Sequence, residues 1–379
     1  MAHSELMSPR VQVDDAPEAV FELAYRKGWT DGLPIIPPTA ERVHSFLAYL
    51  GRDGSEVVAE VAPSGGVATV EKIAINAVMA GCLPEYLPVV MAAVQAMAAP
   101  EFNLQGIQCT TNPVAPLAII NGPIRKRLDM NSGPNCLGQG WRANATIGRA
   151  IRLVLLNIGG GIPGEVDKAV QGMPGKYTFC FAENEEESPW GSLSRERGFA
   201  PGVSTVTMVG GQATHNVNCL STVAREILRL AANAMVTIGN NNMLMGRGEP
   251  LVVLTTGHAK LCTGQGLSKA EVKRVLFDYA QVPIAEIRPE ALPFPGGGYP
   301  NRDGVARPCL KAEDIMVVVA GGPEPYHLTV IPTFGDTVAV TRPIVEPALP
   351  QNCHSEEPFA TLEGKLRDEE SGRGQQMAE

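Results

Sequence analysis

Aromatic residues are scarce in this chain of 379 residues, at 5% of the total. Its core must therefore be built from Ala, Val, Leu, Ile and Met. No basic excess is present either: the net charge is −9. A nucleic-acid-binding protein usually shows a basic face or stripe, so that class is set aside. The short run Arg125-Lys126-Arg127 reads as a solvated helix face. Met1 to Asp15 holds no apolar run of signal-peptide length. The most apolar stretch, Ile73 to Ala98, is broken by Pro84, Glu85, Pro88 and Gln95, which suits two buried helices rather than a membrane span. No two of the eight cysteines form a Cys-x-x-Cys pair. With no secretory signal they read as reduced thiols, and a cytoplasmic protein is expected.

Hydrophobic residues make up 44% and charged residues 19%, the balance of a globular chain with a sizeable core. Forty Gly and 31 Pro imply many tight turns. Residues 1–65 read as an N-terminal helical and extended segment. Beyond it one order of elements occurs twice. Pro84 to Ala98 is a helix, Pro116 to Asn121 a short strand beginning Pro-Leu, and Gly122 a turn. A polar loop, a helix over Ala143 to Asn157 and a strand over Lys176 to Ala182 follow. Thr222 to Val236 and Pro250 to Leu254 restart the order. The capping box Ser268-Lys269-Ala270-Glu271 and the strand Asp314 to Ala320 complete it. The expected architecture is α/β, with two topologically similar units over 66–200 and 201–345, an internal duplication, and a flexible tail over 346–379. In open α/β sheets ligands bind at the carboxyl ends of strands, so two related crevices are expected.

Chemistry concentrates in a few places. The amide-rich loop from Asn131 and Ser132 to Gly140 feeds a helix N-terminus, where free backbone N–H groups favour an anion. Arg142, Thr146 and Arg149 share one face of that helix, beside Asn144, and suit a carboxylate or phosphate. The alternative is a surface helix with solvated arginines. The spacing is neither a Walker A loop nor G-x-G-x-x-G. Cys136, before the helix, is the best nucleophile or redox candidate, because a helix N-terminus and arginines lower a thiol pKa; an inert loop cysteine is the competing reading. Glu183 and Glu185 follow a strand and suit a general base or a hard-metal ligand, with one of them pointing inward. His258, His215 and His327 lie near strand ends, but no His-x-His or His-Glu-x-x-His is present, and a hydrogen-bonded structural histidine is the commoner case. Asp31 either enters a site or bonds its own turn.

Several segments taken together resemble a known group. They are Gly28-Trp29-Thr30-Asp31-Gly32-Leu33-Pro34 with Pro37-Pro38-Thr39, and Asn76 to Cys82 with Pro84-Glu85-Tyr86. Arg142 to Arg149, Pro174-Gly175-Lys176-Tyr177 and Ser188-Pro189-Trp190 complete the set. They resemble a bacterial protein family with a Trp-x-Asp-Gly-Leu-Pro signature, associated with thiol or selenol proteins that carry a UGSC motif. The resemblance spans roughly residues 20 to 345 and brings no catalytic residue with it. This chain has no Cys-Gly-Ser-Cys segment, so the resemblance implies a partner of the thiol protein rather than that protein.

Three functions follow as expectations. One is a lyase- or hydrolase-type enzyme holding a small anionic metabolite between the two units. Another is a substrate-binding or non-catalytic subunit with a thiol- or selenol-bearing partner. The third is a metal-dependent enzyme. An oligomer is expected in each case, and the sequence names no cofactor.

Overall fold

Ala115–Asn121 is buried at all seven positions. Successive side chains of a strand point to opposite faces, so its sheet must be covered on both sides. A computed structural model, describing residues 5–288 and 299–347, shows what covers it. Met1–Val345 forms one unit and the chain from Glu346 another; the tail expected over 346–379 lies, from residue 348 on, outside the described residues.

The N-terminal part contributes α1 (Pro17–Arg26), α2 (Ala40–Leu50), the hairpin β1 (Val57–Val61) and β2 (Gly66–Thr69), α3 (Val70–Ala80) and α4 (Leu87–Met97). Next come α5 (Leu104–Cys109), β3 (Ala115–Asn121), α6 (Ile124–Arg127), α7 (Arg142–Asn157), β4 (Cys180–Ala182), α8 (Leu193–Glu196), β5 (Thr205–Gly211) and β6 (His215–Asn218). The second part runs α9 (Ala224–Met235), α10 (Asn241–Met245), β7 (Leu251–Leu254), α11 (Thr256–Gly264) and α12 (Lys269–Tyr279). It ends with the short pair β8 (Val282–Pro283) and β9 (Val305–Ala306), then β10 (Met316–Val319), β11 (His327–Ile331) and β12 (Val340–Pro343).

Two four-stranded sheets result, ordered β4-β3-β5-β12 and β10-β7-β11-β6. In each, the strand that carries or follows Pro-Leu pairs in parallel with one neighbour and antiparallel with the other. The fourth strands are exchanged. β6 follows β5 in the chain but joins β11, while β12 follows β11 but joins β5. Where the chain crosses, Gly211 bridges Thr333, Gln212 N–H donates to the Pro332 carbonyl and Phe334 N–H to that of Gly210.

Alternation sorts the side chains into layers. Leu117, Ile119, Phe181 and Val209 of the first sheet meet Val253, Met316, Val318 and Ile331 of the second. The opposite face of the first sheet, with Ala118, Ile120 and Met208, lies under Ile73, Val90, Val94, Ile147 and Ile151 from α3, α4 and α7. Val252, Leu254, Val317 and Val330 lie under Ile227 and Ala231 of α9 and Val272 and Leu276 of α12. The architecture is α/β with four layers, helix–sheet–sheet–helix. Each fully buried Val, Leu or Ile stabilises it by roughly 1.5–3 kcal/mol.

Local signals explain the helix ends. Thr69 caps α3 and Gly81 closes it at φ 91°, a left-handed position suited to Gly. The Ser268–Glu271 capping box starts α12. The helix expected from Pro84 opens as a 3-10 turn, Pro84–Tyr86, before α4. Among the described residues no single helix is long and apolar enough to cross a membrane.

The expected boundaries need correction. β5 lies beyond residue 200 yet neighbours β3, and β1 pairs with β2 across residue 65. The ranges 66–200 and 201–345 are therefore interleaved rather than separate bodies.

Candidate active site

Parallel pairing brings the carboxyl ends of β3 and β4 side by side. Asn121 ends β3, and Glu183 continues β4, its N–H donating to the Ile120 carbonyl at 3.1 Å. Both side chains are fully buried. One amide group joins two carboxylates: Asn121 Nδ2 donates to Glu183 Oε2 at 2.7 Å and to Glu185 Oε1 at 2.8 Å. Leu193 N–H donates to Glu183 Oε2 at 2.8 Å, and Gly122 N–H to Glu185 Oε1 at 2.7 Å. Gly122 has φ 87°, and a Cβ there would lie 2.5 Å from Ser204 Cα, so the turn admits only Gly.

Arg125 locks the turn from below. Its Nε donates to the Gly122 carbonyl at 2.9 Å and its Nη1 to the Glu183 carbonyl at 2.6 Å. The same guanidinium pairs with Glu186 at 2.9 Å and lies 3.3 Å from Glu185. At 4% exposed, Arg125 is no solvated helix residue, contrary to the reading of the Arg125-Lys126-Arg127 run. The strand end and the Pro123 turn before it were the available signal.

A crevice of about 340 Å³ is lined by Gly122, Arg125, Lys126, Glu185, Ser192 and Arg195, among others, and the buried Asn121 and Glu183 meet it through Glu185. Burial raises the Glu183 carboxyl above its usual range; Lys269 and the hydrogen bonds from Asn121 and Leu193 offset part of this, and Glu185 adds to it. Glu186 behaves in the opposite way. Burial opposes its charge, but Arg125 and Lys126 outweigh that and hold it at about 2. Glu183 Oε1 has no hydrogen-bond partner, and Lys269 Nζ stands 3.9 Å away. Asn121 Oδ1, Ser194 Oγ and Thr205 Oγ1 are likewise buried without partners. Thr205 pairs with Asn121 across the sheet, and Ser194 lines the crevice. Buried polar groups are rarely left unpaired, because each costs roughly 1–3 kcal/mol.

The other expected residues serve elsewhere. Arg149 is engaged within the chain: its Nε and Nη2 donate to the Asp31 carboxylate at 2.9 and 2.8 Å, and Nη2 also reaches the Pro34 carbonyl. Arg142 Nε donates to the Gly81 carbonyl at 3.0 Å, and Thr146 Oγ1 bonds back to the Arg142 carbonyl. Arg142 thus clasps the end of α3, and the Asp31–Arg149 pair fixes the N-terminal turn to α7. Asn144 is buried and organises the loop, exchanging hydrogen bonds with the Asn131 backbone at 2.9 and 3.0 Å. The Ser132 carbonyl accepts from Gly321 N–H, tying the loop to the end of β10.

That loop covers a second cavity, of about 350 Å³, lined by Cys136, Thr255, Gly321, His327 and Leu328, among others. Cys136 is not activated there. Burial pushes its thiol up to about 11, since the arginines expected to lower it face away. His258 is buried and bonded to Thr255 and Cys219, whereas His215 and His327 are exposed. Among the described residues no three His, Cys, Asp or Glu side chains gather as metal ligands. Asn121, Ser194 and Lys269 went unnoticed in the sequence, because only the β3–β4 pairing and the packing of α12 bring them together. In comparisons with known proteins, no family model, curated protein or solved structure matches the chain.

Proposed function

We propose that the chain is an enzyme of lyase or hydrolase type, acting on a small anionic metabolite in the crevice at the carboxyl ends of β3 and β4. Glu183, whose carboxyl is raised in pKa by burial, donates a proton, and Glu185 accepts one. Lys126, which also pairs with Glu186, and Arg195, which also donates to the Phe199 carbonyl, line the crevice and meet the substrate anion at its rim. The observation that carries this reading is the Glu183–Asn121–Glu185 bridge, with unpartnered buried oxygens behind an open crevice. The two units descend, on this reading, from one duplicated unit, which the shared strand order and reciprocal exchange support.

The test is a panel of small carboxylates and phosphates incubated in deuterated water and followed by proton NMR. Conversion or solvent-deuterium uptake is expected for at least one compound, falling by about 10²–10⁴-fold in Glu183→Gln and Glu185→Gln. Equal conversion by wild type and Glu183→Gln would sink the assignment.

A second reading, a subunit that docks a thiol- or selenol-bearing partner, is favoured by the apolar exposure of Trp29, Leu33 and Ile36 on the turn held by Arg149. On that reading, polar replacements at these three positions release a co-purifying partner and leave folding intact.

A further inference from the structure

Cys219 differs from the other described cysteines in what its sulfur meets. Cys82 and Cys309 donate to backbone carbonyls of Thr146 and Lys311, and Cys219 Sγ likewise lies 3.8 Å from the Val217 carbonyl. Cys219, just past β6, has its Sγ 3.1 Å from Nε2 of His258. Nδ1 of that imidazole lies 2.8 Å from Thr255 Oγ1, and the Thr255 hydroxyl donates to the Glu324 carbonyl at 3.2 Å. With the hydroxyl proton on Glu324, the Thr255 oxygen accepts from His258 Nδ1–H. On that assignment Nε2 is the acceptor for the Cys219 thiol. A nucleophile, a base and a residue that orients the base stand in one hydrogen-bonded row.

Access is short. Cys219 itself is 1% exposed, but the next residue, Leu220, is 72% exposed. Thr255, His327 and Leu328 flank the pair and line the cavity of about 350 Å³. Burial raises the Cys219 thiol above its ordinary value, and a backbone hydrogen bond from Leu328 offsets part of that. Burial also draws His258 down to about 4, so its imidazole is neutral at neutral pH, and the pairing with Cys219 rests on geometry; His327 adds to the shift and a backbone hydrogen bond at Pro325 opposes it.

We propose that Cys219 is a nucleophilic thiol, with His258 as its base and Thr255 orienting the imidazole, and that it exchanges with disulfides of small thiols in the adjoining cavity. The Cys219 proton passes to His258 Nε2 as sulfur attacks one sulfur of the disulfide. The S–S bond breaks, a mixed disulfide forms on Cys219, and the departing thiolate takes the proton back from His258. The small disulfide is the only oxidant, and electrons balance within the exchange. This site is independent of the Glu183 crevice, so the two readings stand or fall separately.

The test treats the folded full-length chain with dithiodipyridine and follows each cysteine by peptide mass mapping over time. Exposed Cys109 reports unhindered labelling, and Cys262, fully buried on α11, reports breathing of the fold. Cys219 is expected to react at least about tenfold faster than Cys262 and Cys136. His258→Gln should slow it by about tenfold and Thr255→Val by a smaller factor, with Cys109 unchanged. Labelling of Cys219 no faster than Cys262, faster labelling of Cys136, or an unchanged rate in folded His258→Gln would overturn the proposal. If the variants fail to fold, the wild-type ratio of Cys219 to Cys262 decides alone.

Discussion

Arg149 and Arg125 carry the same charge and do different work. Arg149 fixes Asp31, whose carboxyl feels two opposed influences: burial raises it, while the hydrogen bonds and charge of Arg149, with help from Leu33 and Thr30, bring it below its ordinary 3.8. A depressed folded pKa adds stability that is present above about pH 4 and lost as pH falls through the folded value. Arg149→Met leaves a buried carboxylate unpaired. It should destabilise the protein by about 3–5 kcal/mol at neutral pH, with the gap from wild type narrowing below pH 4. Denaturant melts at a series of pH values check this, and a gap independent of pH would contradict it. Glu183 has the opposite sign. Its folded pKa is raised, so its contribution is full below the unfolded pKa and declines as pH climbs toward the folded one. Glu183→Gln should therefore equal or exceed wild type in thermal stability at pH 7 to 8, with its melting temperature varying less with pH. A large loss of stability would mean that Glu183 is structural.

At the scale of elements, the turn after β3 decides whether the crevice exists. Gly122→Ala places a Cβ against Ser204 and Val203 at a positive φ. It should destabilise the protein by about 1–3 kcal/mol and displace Asn121 and Glu185. Melting curves test the first effect, and binding of the metabolite found in the NMR panel tests the second. Much at this scale is legible in the sequence. The hydrophobic period shows α7 and α9, the capping box shows α12, and Pro-Leu runs mark β3 and β7. The antiparallel strands β5, β11 and β12 and the helix α11 are not singled out. Their residues, Thr205–Gly211 for example, form short runs whose pairing is long-range, and local pattern does not reveal a partner over a hundred residues away. The same limit applies to the site. Glu183 and Glu185 are legible as acids after a strand, but Arg125 resembles surface until the strand end is built beneath it. The helix-face arginines, well spaced for an anion, are used up by chain carbonyls and Asp31.

The whole molecule is held by exchange between its halves. Each sheet takes its fourth strand from the other part of the chain, and each inner face is covered by the other sheet. Neither part has a complete core alone. Residues 1–212 and 213–347 expressed separately should show no cooperative melting and should recover it when co-expressed. An independently folded half would argue against the interleaving. The crevice depends on the same exchange, since Lys269 reaches Glu183 and Glu196 from α12 of the second part. The central claim is that Glu183 is a neutral acid, joined to Glu185 through Asn121. Infrared difference spectroscopy of wild type against Glu183→Gln at neutral pH tests it most directly. A protonated-carboxyl band present in wild type and missing in the variant is the predicted result; its absence from both would show Glu183 ionised and contradict the assignment of donor and acceptor.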